Sequence, residues 1–280
     1  MLERRDGLRS ETVREAHAEQ ENDADRRKRM PAIGLIPTRL ESERLPRKAL
    51  LPIDGLPIIG HTFLRAQLAT ALRFVYVCTD SKEIAMVVQD LGGQVIMTQS
   101  SHRNGTERIP EAAEILHWQG KISDTDFIVD VQGDEPLLDP EHIDEVVAEH
   151  ERHADWDILV PTQKIYNAET PHVVKVIHDV NHRVMAMSRS VIPMSFRADA
   201  GFYLRHLDLI SFRYTALRRF SELSPTRLET TEGVELLRAL ENGIVIGTKI
   251  LPGQTYSVNV SEDYERAKRD ITKDSVRHRY

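Results

Sequence analysis

The stretch that decides the fold reads Ile36-Pro37-Thr38-Arg39-Leu40-Glu41-Ser42-Glu43-Arg44-Leu45-Pro46-Arg47-Lys48. It follows an apolar run that begins at Ala32 and predicts a buried strand. Four of its side chains are basic. Because like charges repel one another, a folded loop with this many basic side chains is typical of a segment that binds an anion. In an α/β domain, the loop after the first strand is where nucleotide phosphates bind. A solvated charged loop fits the composition equally well, because charged side chains are common on surfaces.

Strand and helix patterns alternate through the first half of the chain. Apolar runs predict strands over Ala32–Pro37, 74–79, 94–98 and Phe127–Val131. Apolar residues at helical spacing predict helices over 58–68, 81–91 and 106–117, with Ser81 as an N-cap. This alternation predicts an α/β fold with a mostly parallel, Rossmann-like sheet that carries helices on both faces.

The second half is richer in strand patterns. A hairpin is predicted over 173–178 and 183–187, joined by the turn 179–182. Further strands are predicted over 206–213, 244–250 and 256–258. Helices are predicted over Ser261–Ile271 and over 229–241, where Gly243 is the stop signal. We expect one folded domain over 31–280, with these elements forming a smaller strand-rich insertion.

The bulk properties favour an enzyme of the cytoplasm. The chain has 280 residues, a net charge of -7 and a single cysteine, Cys78. The charge argues against nucleic acid as a partner, and one cysteine excludes an intrachain disulfide. No apolar run is long enough to span a membrane and no signal-peptide core is present, so we expect no membrane insertion and a cytoplasmic location. Residues 1–30 are rich in charge and poor in large apolar side chains, which predicts a flexible extension.

A second anchor is the segment Val129-Asp130-Val131-Gln132-Gly133-Asp134-Glu135-Pro136. A buried strand ends here, and Gly133 permits a tight backbone before the carboxylate of Asp134. Mg²⁺ binds carboxylate oxygens together with phosphate oxygens, which makes Asp134 a candidate metal ligand. Alternatively, Asp134 caps the turn by accepting hydrogen bonds from nearby backbone N–H groups.

An ordered set of motifs resembles the sugar-acid cytidylyltransferases, and most of all the 3-deoxy-manno-octulosonate cytidylyltransferase (CMP-Kdo synthetase) family. The set opens with Ile36-Pro37-x-Arg39, Arg44-Leu45-Pro46-x-Lys48 and Asp54-Gly55-x-Pro57-Ile58. It continues with Thr79-Asp80, Gly92-Gly93 with Thr98, Gly105-Thr106-Glu107-Arg108, Gln132-Gly133-Asp134-Glu135-Pro136, Val174-Lys175-Val176, Ser188-Arg189 with Ile192-Pro193, and Leu204-Arg205-His206-Leu207. The resemblance covers the chain from Ala32 to the C-terminus.

The resemblance implies a magnesium-dependent transfer of CMP from CTP to the anomeric hydroxyl of a 3-deoxy-2-ketoaldonic acid, with release of pyrophosphate. It also implies the nucleotidyltransferase fold and a homodimer formed through the strand-rich insertion, which also binds the sugar. The implied catalytic residues are Arg39, Lys48 and Asp134. The implied magnesium ligands are Asp134 and Asn259.

The same resemblance implies the substrate-binding positions. For CTP these are Pro37, Arg39, Ser42, Arg44, Lys48, Thr79, Gly105, Thr106, Arg108, Gln132 and Gly133. For the acidic sugar they are Gln132, Lys175, Arg189, Arg205, His206, Glu229 and Glu232. Other interpretations stay open from the residues alone, because Thr106 also fits a helix N-cap and the segments at Lys175 and Arg205 also fit solvent-facing strands.

Four positions depart from the family pattern. Asn259 stands where the family has a second metal-binding Asp, and it offers a neutral carbonyl oxygen instead of a carboxylate. Met194 replaces an aromatic residue, Arg47 replaces a glycine, and 208–212 replaces a Gly-Ile-Tyr-Gly-Tyr strand. Two rival functions therefore stay open. One is a CMP-activating enzyme for a nine-carbon sialic-type acid, or another sugar nucleotidyltransferase; the other is a catalytically weakened nucleotide-binding homologue.

Overall fold

Strand β1 (Ala32–Pro37) lies inside the main sheet, and all six of its residues are buried. The computed structural model describes residues 32–42, 44–102, 105–253 and 255–280. The predicted flexible extension, residues 1–30, lies outside the described residues.

Parallel strands form the first half of the sheet. β4 (Leu72–Thr79) and β6 (Phe127–Val131) pair with β1 on either side, and β5 (Gln94–Met97) pairs with β4. Helices connect these strands and return the chain to the same edge each time, which makes every pair parallel. The connecting helices are α1 (Ile58–Gln67), α2 (Lys82–Asp90) and α3 (Gly105–Trp118). The predicted N-cap is confirmed, because the Ser81 hydroxyl accepts the N–H of Ile84.

Antiparallel strands extend this parallel core after α4 (Pro140–Arg152). The added strands are β7 (Ile158–Ile165), β8 (Lys175–His178), β9 (Val184–Ser188), β10 (Tyr203–His206) and β11 (Leu209–Arg213). The strand order is β5-β4-β1-β6-β11-β7-β10-β8-β9, and β12 (Ile246–Ile250) pairs in parallel with β7. The predicted α/β sheet is thus confirmed as a mixed sheet with a parallel core.

Helices cover both faces of the sheet, as predicted. Along β1, Ala32 and Ile36 pack towards α1, α2 and α4, whereas Ile33 and Leu35 pack towards α3 and α5 (Tyr214–Ser221). This alternation follows from the two-residue period of a strand. A third, smaller cluster joins α8 (Ser261–Ile271) to the hairpin of β2 (Pro52–Ile53) and β3 (Leu56–Pro57). Within the described residues, no helix has the length and apolarity that crossing a bilayer requires.

Three predicted elements of the second half have other bounds in the structure, and β7 and α5 were not predicted. The helix predicted over 229–241 is two helices, α6 (Arg227–Glu232) and α7 (Leu236–Glu241). Gly233 separates them with a φ of 62°, a left-handed conformation that ends α6. The strand predicted over 206–213 is interrupted between β10 and β11, and residues 256–258 lie in irregular backbone. The predicted hairpin is confirmed as β8 and β9.

The carboxyl ends of β1 and β6 bring the two anchor motifs together. A Cβ on Gly133 would lie 2.9 Å from the carbonyl oxygen of Pro37, so a residue with a side chain would push the two backbones apart. The N–H of Val258 donates to the carbonyl of Asp134 at 2.9 Å and draws the segment before α8 to the same edge. Residues far apart in sequence therefore meet at one end of the sheet.

We expect Gly247→Ala, in β12, to destabilise the fold strongly. A methyl group at this position would overlap the indole of Trp156, which is 1% exposed and has no room to move. The free energy of unfolding should fall by about 3 kcal/mol, as for severe overpacking of a core.

Chemical denaturation measures the free energy of unfolding of Gly247→Ala and of the control Gly60→Ala in α1. We expect a much smaller loss in the control. The new methyl group there would meet the flexible end of Leu91 at 3.0 Å, and alanine favours a helix over glycine by about 1 kcal/mol. Equal losses in the two variants would contradict the packing described for β12.

Candidate active site

A cleft of about 340 Å³ opens at the carboxyl ends of β1 and β6. Its walls come from the basic loop after β1, the turn after β6 and the first turn of α3. Most of the predicted nucleotide-binding positions line it, namely Pro37, Arg39, Ser42, Arg44, Lys48, Gly105, Arg108, Gln132 and Gly133. Both predicted metal ligands, Asp134 and Asn259, line it as well. Ligands of open α/β sheets bind at this edge, so the fold and the motifs agree on the place.

Lys48 joins the basic loop to the two predicted metal ligands. Its Nζ lies 2.5 Å from Oδ2 of Asp134 and 3.3 Å from Oδ1 of Asn259. Nη2 of Arg44 donates to the same Asn259 oxygen at 3.2 Å. The Lys48 and Asp134 side chains are only 16% and 24% exposed, so solvent screens their attraction less than on an open surface.

The local backbone decides which basic side chain faces the cleft. A 3-10 turn (Lys48–Leu50) follows Arg47, whose φ of 56° is left-handed. The Arg47 guanidinium turns away from the cleft and pairs with Glu83, with Nη2 and Oε2 2.5 Å apart. The two residues are adjacent in sequence, yet the Lys48 side chain lines the cleft and the Arg47 side chain lies on the surface.

The oxygens of Asp134 and Asn259 fit a hard divalent cation. No three His, Cys, Asp or Glu side chains of the described residues form a metal-binding group, so the protein would offer one carboxylate and one amide oxygen. The Lys48 ammonium lies close to both oxygens, which shows that they converge on a point that holds positive charge. Mg²⁺ commonly takes one or two protein oxygens and completes its shell with water and phosphate oxygens. The donor set therefore fits the predicted magnesium.

Burial disfavours the charged forms of the carboxyl groups near the Lys48 ammonium. It raises the pKa of Asp134, although attraction by Lys48 opposes the rise. It raises the pKa of Glu135 to about 8, and repulsion from Asp208 and Asp134 adds to the effect. Because the charged forms are disfavoured, any cation that joins these acids is bound more strongly than it would be in water.

The start of α3 forms the opposite wall of the cleft. Thr106 lies within the helix, so the interpretation of this residue as the N-cap is wrong. Arg108 is 2% exposed, and its Nη1 donates to Oγ1 of Thr98 at 2.5 Å and to the carbonyl of Gln99 at 3.1 Å. Its Nη2 lies 3.4 Å from a carboxylate oxygen of Asp80. These contacts hold the Arg108 guanidinium in place as part of the wall.

A second cavity of about 250 Å³ adjoins the cleft. Among the residues that the structure describes, four line both spaces, namely Gly105, Gln132, Asp134 and Asn259. Of the other predicted positions, Thr106, Arg189 and His206 line the second cavity. The shared residues mark the junction at which a molecule in one space would meet a molecule in the other.

Five predicted site residues do not line either space. Thr79 is buried, and its hydroxyl accepts the N–H of Ser81 at 3.1 Å. Lys175 is fully buried, and its ammonium donates to the carbonyls of Thr170, Val173 and Arg189 at 2.7, 2.9 and 2.7 Å. Lys175 is therefore neither a cavity-lining residue nor the solvent-facing strand residue that was the alternative.

The remaining three of these residues also bond within the protein. Nη2 of Arg205 donates to Oε1 of Gln163 at 2.7 Å and to the carbonyl of Thr255. Glu229 accepts the N–H of Thr226 at 3.1 Å in the capping box of α6. Glu232 accepts the Ser188 hydroxyl at 2.7 Å and the N–H of Arg189 at 2.8 Å. Glu232 thereby supports Arg189 in the wall of the second cavity, whereas the partners of the Arg205 and Glu229 side chains line neither space.

Three polar residues that line the described part of the second cavity were not predicted from the sequence, namely Asp208, Glu235 and Ser257. The Ser257 hydroxyl lies 3.2 Å from Oδ2 of Asp208, and Nδ1 of His206 lies 3.5 Å from Oδ1. Burial alone would raise the pKa of Asp208, but hydrogen bonding from His206 and Ser257 lowers it below its usual range. The unusual 208–212 segment was the available signal, because it places a carboxylate where the family pattern has glycine.

Similarity to known proteins extends over most of the chain. The family model described as Cytidylyltransferase matches residues 33–250. A 3-deoxy-manno-octulosonate cytidylyltransferase of Syntrophobacter fumaroxidans is 36% identical over 252 residues, covering 88% of this chain and 99% of the relative. An 8-amino-3,8-dideoxy-manno-octulosonate cytidylyltransferase of Shewanella pealeana is 37% identical over 246 residues, covering 86% and 98%. The solved structure of CMP:2-keto-3-deoxy-manno-octonic acid synthetase complexed with CTP has a TM-score of 0.80 at 30% identity, covering 86% of this chain and 98% of that one.

We expect Lys48→Ala to weaken CTP binding by about 10- to 100-fold, the usual effect of losing a hydrogen bond to a charged group. The matched control is Arg47→Ala, which also removes one positive charge but from a side chain paired with Glu83 outside the cleft. Calorimetric titration with CTP compares the two variants with the parent chain. Equal weakening in both would mean that the loop acts only through its total charge.

Proposed function

The chain belongs to the cytidylyltransferase family, and we propose that it transfers CMP from CTP to the anomeric hydroxyl of a 3-deoxy-2-ketoaldonic acid, Kdo or a close analogue. Pyrophosphate is the second product. The observation that carries the proposal is the junction of two cavities at Asp134 and Asn259, with a basic loop on one side. Such a junction suits nucleotidyl transfer, because the α-phosphorus and the attacking hydroxyl must be held close together and in line.

The basic loop and the turn after β6 serve the nucleotide. Arg39, Arg44 and Lys48 bind the phosphates and offset the negative charge that grows on the leaving pyrophosphate. The Lys48 ammonium releases Asp134 when phosphate oxygens replace the carboxylate as its partner. Gln132, Gly133, Gly105 and Arg108 line the same cleft and hold the nucleoside.

Asp134 and Asn259 would hold Mg²⁺, which when bound neutralises phosphate charge and favours ionisation of the attacking hydroxyl. The chain's own contribution is to keep these two oxygens in place. The hydrogen bond from Val258 N–H to the Asp134 carbonyl ties both segments together, and Asp263 accepts the N–H of Asn259 at 2.9 Å.

The second cavity receives the sugar acid. Arg189 supplies positive charge for the sugar carboxylate, while Gln132 and His206 supply hydrogen-bonding groups for hydroxyls. The Arg189 guanidinium is positioned by the carbonyls of Glu232, Pro171 and Gly233, at 2.6 to 3.2 Å. In this arrangement Lys175 and Glu232 hold Arg189 in position. Arg205 and Glu229 bond to residues outside both cavities and have a structural role.

A homodimer formed through the second half of the chain completes the proposal. The segments that flank β8, β9 and β10 carry large apolar side chains that are exposed, namely Tyr166, Val191, Met194, Phe196 and Phe202. Exposed apolar side chains of this size are typical of a surface that another chain covers. We place this dimer in the cytoplasm, where CTP is available.

A second candidate substrate is the 8-amino analogue of Kdo. The relative from Shewanella pealeana is named for that sugar and is as similar to this chain as the relative named for Kdo. Asp208 and Glu235 also make the second cavity rich in acids, which suits a substrate that carries an amino group.

Pyrophosphate release from a matrix of nucleotides and sugar acids tests the proposed function. CTP should support turnover in the presence of Mg²⁺ with Kdo or its 8-amino analogue, and UTP, ATP and GTP should not. The negative control is Asp134→Asn, which should lower the rate by about 100-fold because a metal ligand loses its charge. CTP binding without turnover on any acid would instead favour the catalytically weakened homologue, and turnover on a nine-carbon acid would favour the sialic-type enzyme.

We expect Asn259→Asp to tighten metal binding, because the added carboxylate strengthens attraction to a divalent cation. The Mg²⁺ concentration for half-maximal rate should fall by about tenfold, as ligand charge tunes cation affinity in proteins. Asn181→Asp in the exposed turn between β8 and β9 adds the same charge at a distance and is the matched control. An unchanged metal dependence in Asn259→Asp would place residue 259 outside the coordination shell, leaving Glu262 and Asp263 to be tested.

A further inference from the structure

Asp130 is a carboxyl group in an apolar layer of the fold. It lies in β6, is 0% exposed, and is flanked in register by Leu35 of β1 and Ile210 of β11. Those two neighbours belong to the apolar cluster between the sheet, α3 and α5. Ile210 also lines the second cavity, so Asp130 is the strand neighbour of a cavity-lining residue.

Asp130 makes one hydrogen bond through its side chain and leaves one oxygen unsatisfied. Its Oδ1 accepts from Nε2 of Gln132 at 3.0 Å. Its Oδ2 is buried and has no hydrogen-bond partner in the described part of the chain. A buried polar atom without a partner costs about 1–3 kcal/mol, so packing and stability do not explain an acid at this position.

The surroundings of Asp130 make its charged form still less favourable. Burial raises its pKa well above the usual range, and repulsion from Asp208, Glu235 and Asp134 adds to the rise. A leucine or an asparagine would fill the same space at lower cost. Carboxyl groups kept under such conditions are typical of functional sites.

The bond to Asp130 sets the orientation of the Gln132 carboxamide. Gln132 lines both the cleft and the second cavity. Because Nε2 is held by Asp130, the carbonyl oxygen Oε1 points the other way, and a Cβ on Gly105 would lie 3.2 Å from it. Gly105 is another residue of the junction, so this oxygen faces the place where the two substrates meet.

We propose that Asp130 is a positioning residue that holds the Gln132 carboxamide with Oε1 towards the junction, where it accepts a hydrogen bond from a hydroxyl of the sugar acid. This inference rests on the proposed function, because it assumes that the second cavity binds the sugar. An amide that was free to flip would present its NH₂ group there in part of the molecules, and an NH₂ group cannot accept the hydrogen bond of a hydroxyl.

Three single variants and one double variant test the proposal. Asp130→Leu removes the acceptor and the unsatisfied oxygen, so its melting temperature should match or exceed that of the parent. Its KM for the sugar acid should rise about tenfold, which corresponds to one lost hydrogen bond, while kcat and the KM for CTP change less than about threefold.

Asp130→Asn keeps an oxygen for Gln132 and should retain the parent's KM for the sugar acid. Gln132→Ala should raise the KM for the sugar acid as much as Asp130→Leu does, and it should also raise the KM for CTP because Gln132 lines the cleft. The KM of the double variant for the sugar acid should be no higher than that of Gln132→Ala, because both changes remove one interaction.

Ser211→Ala provides the matched control for loss of a buried polar group in the same sheet. Ser211 lies in the neighbouring β11, and its hydroxyl contacts His150 at 2.8 Å, away from both cavities. This variant should lose stability without a change in KM. If Asp130→Leu does not fold, Asp130→Ala removes the same acceptor.

A second readout does not depend on turnover. With ¹⁵N-labelled glutamine, the side-chain NH₂ of Gln132 should exchange slowly with water in the parent and in Asp130→Asn, and fast in Asp130→Leu. Unchanged exchange in Asp130→Leu, an unchanged KM, or additive effects in the double variant would each overturn the proposal. A parent chain that releases no pyrophosphate with any sugar acid would instead overturn the proposed function, whatever the exchange of Gln132 shows.

Discussion

The contact between the Lys48 ammonium and the Asp134 carboxylate, 2.5 Å apart, is the interaction on which the site depends. It joins the loop after β1 to the turn after β6, and Asn259 adds a third segment at 3.3 Å. The contact exists because β1 and β6 are parallel neighbours whose carboxyl ends lie side by side. The backbone bond from Val258 to Asp134 then fixes the C-terminal segment to the same edge. One cation thus marks the point where three distant parts of the chain converge.

Electrostatics divides the site into two regions of opposite character. The cleft is lined by Arg39, Arg44, Lys48 and Arg108, which suits a polyphosphate. The second cavity contains Asp208 and Glu235 as well as Asp134, and burial raises the pKa of nearby Glu135. The raised pKa values of Asp134 and Glu135 mean that their charged forms cost stability, and both carboxyl groups favour a cation at the boundary between the two regions. In the protein alone, the Lys48 ammonium is the cation at this boundary. In the proposed reaction, a metal ion that binds with the nucleotide would take its place.

The sequence was sufficient for the parallel core of the sheet and for most of the residues that line the cleft. There, each strand is a short apolar run followed by a helical pattern, and the ligand-binding loops follow directly from the strand ends. The second half was harder, because its strands pair with distant partners and its helices are short. Gly233 was one example: its left-handed backbone divides a pattern that reads as one continuous helix from 229 to 241.

The second cavity and its surroundings show the same limit. Lys175 and Arg205 match the motifs of the family, yet their side chains bond to backbone carbonyls inside the protein instead of lining a cavity. Asp130 lies in an apolar run that reads as an ordinary strand, and its contact with Gln132 is visible only in the structure. Motifs identify which segments meet, whereas the direction of each side chain depends on tertiary packing that no local pattern encodes.

A crystal structure with CTP and Mn²⁺, recorded at a wavelength where manganese scatters anomalously, would show whether Asp134 and Asn259 hold the metal. We expect an anomalous peak in contact with the Asp134 carboxylate and close to the Asn259 side chain. We also expect the Lys48 ammonium to contact phosphate oxygens instead of Asp134. A manganese ion bound elsewhere, with the Lys48–Asp134 contact intact beside the nucleotide, would contradict the proposed metal site.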